Sequence, residues 1–432
     1  MKKLLFHAGL LLIASAPVFA QKTAITLQTG SPASVGMSEE RLGRIDKVLQ
    51  EYADKRWVNG VTAMIVKDGK IVYNKAFGYD NVARKTPMKT DEIFRIASQT
   101  KAITSVAVMM LYEEGKFLLD DPISKYIPAF KHPKVITQFN MLDTTYTTAP
   151  AKREITIRHL LTHTSGIDYA QIGSKEANAM YAKAGVIGGI GVGKILLADK
   201  MKILGGLPIF HEPGEKFTYG LNTDVLGYLV EVLSGMSLDQ FLRQRLFEPL
   251  GMKDTYFYLP KEKQSRLASL YSEDKNSGTV ELMPAMRDLN GNFVRDYPNE
   301  AGTYYSGGGG LSSTMYDYAI FLQMLLNGGE YNGQRILGRN TVRIMTMNQI
   351  GDVAYDEVGN KFGLGFKVTT PEGSSFSPLP EGVFEWGGMF ATTYWADPKE
   401  RVIGLIYRNI WPTSRGELPL KYKVLVYQAL NR

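Results

Sequence analysis

The stretch GVTAMIVKDGKIVYNKAFGYD, Gly60 to Asp80, decides the fold. Two runs rich in β-branched and aromatic residues flank Lys67-Asp68-Gly69-Lys70, and Asp-Gly between such runs is a strong hairpin signal. Just upstream, SEERLGRIDKVLQEYADKRW (Ser38 to Trp57) places Leu42, Ile45, Val48, Leu49 and Tyr52 at helical spacing. Ser38 is the expected N-cap and two glutamates fill the first turn. Downstream, KAITSVAVMMLYEEGK reads as a buried helix closed by Gly115.

The C-terminal end mirrors this pattern. FGLGFKVTT, VFEWGGMFATTYWADP and RVIGLIYRN each read as one strand, the last two joined by a turn around Asp397 to Glu400, and LPLKYKVLVYQALNR reads as a closing helix. Strands at both ends imply one antiparallel sheet, completed by both ends of the chain and covered by helices. Residues from about 120 to 300 are expected to form an inserted, mostly helical lobe. The expected fold class is therefore α+β, with residues 21–432 as a single catalytic domain.

Composition narrows the chemistry. The 432 residues are 44% hydrophobic and 22% charged, ordinary values for a globular protein. There is no cysteine, which excludes disulfides, thiol catalysis and thiolate metal sites. The net charge of +7 is spread without a long basic run, so no nucleic-acid partner is expected. MKKLLFHAGLLLIASAPVFA has two lysines, a short apolar run and small residues at Val18 and Ala20. It reads as a signal peptide cleaved after Ala20, with export to the periplasm or beyond. No other stretch is apolar enough for stable membrane insertion. The oligomeric state stays open.

FRIASQTKAIT, Phe94 to Thr104, puts Ser98 and Lys101 three apart at the start of the buried helix. Such residues share a helix face. A serine hydroxyl needs a base, and a lysine serves only when neutral. Burial and the positive end of the helix dipole both push a lysine pKa down. The bland reading is a helix cap with a surface lysine. A second copy of the spacing, Ser272 to Lys275, lies in a polar stretch with no apolar helix behind it. In PGEKFTYGLNTDVLGYLVEVLSG, Tyr219 and Asn222 precede an apolar helix. A tyrosine beside a cationic lysine gives up its proton more easily and can act as general base. In EWGGMFATTYW, paired glycines are costly in a strand unless backbone approaches something closely. The N–H groups of Ser98 and Met389 could then share one oxyanion.

In this order and context, the segments resemble the serine β-lactamase and penicillin-binding-protein superfamily. The likeness is greatest to its class C-like branch, which includes the family VIII carboxylesterases. LLTHTSG within Glu154–Ile167 is the most specific stretch, and FEPLGMKDT, GGGGLSST and WGG follow in family order. The resemblance implies that Ser98 is acylated, that Lys101 and Tyr219 move the proton, and that Trp386-Gly387-Gly388 replaces a lysine-threonine-glycine strand. Asn222 lies one position later than the usual asparagine, where Leu221 stands. With tryptophan in place of the strand lysine, the pocket is more apolar and suits a small, neutral ester. A β-lactamase or D-alanyl-D-alanine carboxypeptidase is the alternative, and a catalytically silent binding protein is the alternative of another class. No cofactor or metal is implied. GGIGVGKI (Gly188 to Ile195) lacks the Ser or Thr of a P-loop and reads as a loop. His159 and His163, four apart, have no acidic partner between them for a zinc site. YYSGGGGLSS is expected to let backbone pass close to the Ser98 helix.

Overall fold

The computed structural model describes residues 26–190, 193–287 and 293–431. The segment read as a signal peptide lies outside the described residues, as do positions 191 and 192 of the glycine-rich run.

The hairpin forms as the sequence dictates. Strands Gly60–Lys67 and Lys70–Asn81 pair antiparallel, with Lys67 opposite Lys70. Asp68 and Gly69 both take positive φ, 50° and 76°. That is the left-handed pair a two-residue hairpin turn requires, and Asp-Gly supplies it cheaply. The hairpin belongs to a nine-stranded sheet. Its order is Gln28–Thr29, Lys70–Asn81, Gly60–Lys67, Val402–Tyr407, Thr392–Asp397, Phe384–Gly388, Lys367–Val368 and Lys361–Phe362. Thr86–Pro87 pairs with Lys70–Asn81. All pairings are antiparallel except Gln28–Thr29 on Lys70–Asn81. The two ends of the chain thus share one sheet, because their strands can bury their faces only together.

Strand alternation assigns the two faces. Val61, Ala63 and Ile65 face one core with Leu42, Ile45 and Leu49 of helix Glu39–Asp54 and with Leu418, Tyr422 and Val426 of helix Glu417–Tyr427. Met64 and Val66 face the other core with helices Thr100–Glu113, Asn222–Ser234 and Met315–Leu326. Ser38 caps its helix, its Oγ accepting from Arg41 N, a cap worth about 1 kcal/mol. In Thr100–Glu113 every residue from Thr100 to Leu111 is buried. A helix apolar all round must lie inside the molecule, and Gly115 at φ 71° closes it.

Two strand readings need correction. FGLGFKVTT is two short strands, Lys361–Phe362 and Lys367–Val368, around a turn in which Gly365 has φ 97°. VFEWGGMFATTYWADP is a hairpin, Phe384–Gly388 with Thr392–Asp397, turning at Met389–Ala391. Ala391 N donates to Gly388 O at 3.0 Å, and Phe390 is buried against Ala97, Leu270, Met283 and Tyr297. Burying that ring off the sheet requires the chain to turn there. Between residues 120 and 300 lie helices Ile157–Leu161, Lys175–Ala184, Leu197–Gly205 and Asn222–Ser234. Three small hairpins also occur there, among them Lys134–Phe139 with Tyr146–Pro150.

Candidate active site

Ser98 lies in a 3₁₀ turn, Ala97–Gln99, that leads directly into helix Thr100–Glu113. Ala97 holds φ 42°, a conformation that costs an L-residue about 1–3 kcal/mol. The strain sits at the residue before the serine, and it is tolerated because Ala97 is itself fully buried. Ser98 is half-buried at the helix mouth, and Lys101, one turn in, is 2% exposed.

The lysine is the hub. Its Nζ donates to Gly308 O at 2.6 Å, to Ser98 Oγ at 3.3 Å and to Tyr169 Oη at 3.4 Å. It also lies 4.6 Å from the Tyr219 ring centroid and 5.2 Å from that of Tyr169. Desolvation pushes the Lys101 pKa down, as its burial implies. The facing Tyr169 and Tyr219 hydroxyls and the Asp224 carboxylate outweigh that effect and hold it above the ordinary lysine value. That direction runs against the expected neutral lysine and favours the ammonium. Burial alone would neutralise it, but three acceptors and a buried carboxylate surround it.

The glycine run behaves as expected. A Cβ on Gly307 would lie 2.5 Å from Thr223 O, and one on Gly308 2.4 Å from Asp224 Oδ2. Only glycine lets this backbone reach the helix and offer Gly308 O to the ammonium. Asp224 is fully buried, and its Oδ1 accepts from Ser306 Oγ at 2.6 Å and Gly308 N at 3.3 Å. Burial raises its pKa, against the pull of Ser306 and Lys101.

Tyr219 is half-buried, its ring 5.5 Å from that of Tyr169 and 5.6 Å from that of Trp386. Strand Phe384–Gly388 packs against the Ser98 turn. A Cβ on Gly388 would lie 2.2 Å from Ile96 O, which explains this glycine. Met389 opens the turn after the strand and packs on the small cluster containing Ala97. Ser98, Lys101, Tyr219 and the segment Trp386 to Met389 are therefore brought together as neighbours.

Asn222 does not join them. It is fully buried, bonded to Ser165 Oγ, to His163 Nδ1 at 2.9 Å and to Ile167 O. The substrate-binding role expected of it is corrected: it is a clamp. The LLTHTSG segment is the other half of that clamp. Thr218 N donates to His163 O at 2.7 Å, and the His163 ring packs 4.9 Å from Tyr219. Burial, reinforced by Lys101, pushes the His163 pKa well below its usual value, so the ring stays neutral and accepts. His159 caps its own helix, its Nδ1 accepting from Thr156 N.

Sequence reasoning missed Tyr169 and Asp224. An acid two residues into the apolar run after Asn222 signals a buried carboxylate in need of a partner. Tyr169 carries no comparable signal, since only the fold brings it to Lys101.

A half-buried serine after a strained Ala97, a buried lysine and a half-buried tyrosine beside a glycine strand are the kind of parts a serine hydrolase uses. The chain belongs to the Beta-lactamase family, whose model matches residues 45–428. It is 33% identical to Protein Rv1367c of Mycobacterium tuberculosis, over 83% of this chain and 87% of that one. It is 28% identical to Esterase EstB of Burkholderia gladioli, over 89% and 94%. Among solved structures it resembles EstCE1, a hydrolase with promiscuous acyltransferase activity. The TM-score there is 0.76 and the identity 26%, over 90% of this chain and 99% of that one.

Proposed function

We propose that this serine hydrolase cleaves small, neutral carboxylic esters through an acyl-enzyme on Ser98. The observation that carries the reading is the buried Lys101 amino group, 3.3 Å from Ser98 Oγ and beside Tyr219, next to the strained turn at Ala97. As Ser98 Oγ attacks the carbonyl carbon, Tyr219, reacting as its phenolate beside Lys101, takes the serine proton. Lys101 faces the charge that develops on both oxygens. The oxyanion rests on the N–H groups of Ser98 and Met389. Tyr219 returns the proton to the departing alcohol. Water then enters and attacks the acyl carbon as Tyr219 takes one of its protons; the Ser98 Oγ–acyl bond breaks, Tyr219 passes that proton to Oγ, and the acid leaves with Ser98 and Tyr219 restored. No step calls on a metal or cofactor.

The preference for neutral esters rests on Trp386, which stands where the resembled motif carries a lysine. The nearby Lys367 is committed to Glu385 at 3.1 Å. Both leave a substrate carboxylate without a partner. The names of EstB and EstCE1 fit this reading. The test is turnover of p-nitrophenyl butyrate and a chromogenic cephalosporin side by side, with Ser98→Ala as control. Ester turnover that vanishes in the variant is expected. Efficient cephalosporin turnover would favour a β-lactamase instead. Export after cleavage at Ala20 belongs to the same proposal, supported by the composition of residues 1–20. Mass measurement of the protein recovered from its native host checks it.

A further inference from the structure

Beyond Tyr219 and Trp386, an aromatic surface continues that the chemistry does not use. Phe217 lies 4.8 Å from Tyr355 and 5.1 Å from Phe362. Trp386 meets Phe362 edge-on at 5.3 Å and Tyr355 at 6.5 Å. His163 completes the floor, 5.7 Å from Phe362. His163 and Phe362 are buried, as packing alone would require. Phe217, Tyr219, Tyr355 and Trp386 are only half-buried. They come from separate parts of the chain, and each keeps part of its surface exposed. A core cluster would hide such rings.

Strand geometry connects this surface to the serine. Trp386 and Gly388 point to the same face of their strand, since side chains alternate. Gly388 abuts Ile96 at the Ser98 turn. The Trp386 backbone therefore stands about 7 Å along the strand from Gly388, the residue that abuts the Ser98 turn. That is the reach of one ring-bearing substituent beyond an ester carbonyl. The charges around it discourage an anion. Lys367 is drawn away to Glu385 and to Asp356 at 4.0 Å, and Lys101 to Gly308 O. Asp356 directly follows Tyr355.

We propose that Phe217, Tyr355 and Trp386 form the binding wall for a neutral, planar aromatic substituent, so that the preferred substrates are esters carrying an aryl ring on the acyl or alcohol side. This rests on the reading of Ser98 as an ester-cleaving nucleophile. Flat rings gain from offset and edge-on contact with such a wall, and flexible chains lose rotamer freedom there instead.

The test measures kcat/KM by pH-stat for benzyl acetate against hexyl acetate, and for ethyl phenylacetate against ethyl hexanoate. These pairs keep the carbonyl chemistry similar while changing the substituent. The full chain is expected to prefer the aryl member of at least one pair by about tenfold. Tyr355→Ala and Phe217→Leu should each lower that ratio, and Tyr355→Phe, which keeps the ring, should retain it. Ratios near one for both pairs, in a protein that turns over the esters, overturn the wall and leave the esterase reading intact. A ratio unchanged in both Tyr355→Ala and Phe217→Leu overturns it as well. Failure of all four esters beside rapid cephalosporin turnover overturns the esterase reading, and this inference with it.

Discussion

The chain carries a serine three residues before a lysine twice, at Ser98–Lys101 and at Ser272–Lys275, and the two copies share little beyond the spacing. Ser272 is the middle residue of strand Tyr271–Glu273, and Lys275 follows in the turn to Val280–Leu282, exposed to solvent. There Asp274 takes the turn's amides, including Ser277 N at 2.8 Å. In a strand and turn, residues three apart do not share a face, so hydroxyl and ammonium never meet. At Ser98 the 3₁₀ turn runs into a helix, the lysine is sealed from water, and Gly308 and Asp224 are waiting for it. Reactivity here comes from the fold around the pair. The spacing supplies only the opportunity.

The largest effect that could break this comparison is loss of the serine. Ser98→Ala should lower ester turnover by about 10⁴-fold or more, and Ser272→Ala should leave it unchanged. Labelling by a fluorophosphonate, read by intact mass, should follow the same division. A labelled Ser98→Ala protein would remove Ser98 as nucleophile.

Next in size is the lysine pair. Lys101→Met removes an ammonium from a site that holds the Asp224 carboxylate and two tyrosines. A rate loss of about 10³-fold is expected. Lys275→Met should have no effect. Because the Lys101 pKa is raised, its ammonium persists above the usual lysine range. The pH–rate profile should therefore show no loss attributable to this group as pH climbs toward 10, and a neutral-lysine base would instead appear as a rise there.

The tyrosines sharpen the comparison further, since two of them face one lysine. Tyr169 is 4% exposed, and burial pushes its hydroxyl pKa up even against Lys101, so it stays a neutral partner. Tyr219 opens to the cleft. Tyr219→Phe should cost about 10²–10³-fold in kcat. Tyr169→Phe gives up one long hydrogen bond and should cost less than about tenfold. The reverse order would move the proton-transfer role to Tyr169.

These contrasts also explain what could be read without a structure. The sheet and its covering helix were legible because β-rich runs flank Asp68-Gly69 and because Leu42, Ile45 and Leu49 keep a helical period, while the division into two cores was not read. The Ser98 helix was legible because its apolar run leaves no polar face. The hairpin at Met389–Ala391 was not, because it is fixed by Phe390 entering a cluster built from residues distant in the chain. The charge of Lys101 was misjudged for the same reason. Its helix argues for neutrality, while the groups that favour its charge, Tyr169, Tyr219, Asp224 and the Gly308 carbonyl, lie far along the chain. Local pattern reports burial well and reports long-range partners poorly.

The smallest effect on catalysis concerns Asn222, where polar identity suggested a cleft residue and the structure shows a clamp. Its amide joins Ser165 and His163 across the base of the Tyr219 segment, all three side chains buried. Asn222→Ala leaves the Ser165 hydroxyl and His163 Nδ1 without that partner in a site closed to bulk water. An unsatisfied buried polar group costs about 1–3 kcal/mol, so denaturant unfolding should show a loss of about 2 kcal/mol or more. KM for a small ester should change little, because the side chain does not reach the cleft, and kcat should fall only as far as Tyr219 loosens. A KM raised about tenfold with an unchanged unfolding midpoint would return Asn222 to the substrate. The Ser272 copy has no such buried clamp behind it, which is a further reason why the same spacing is inert there.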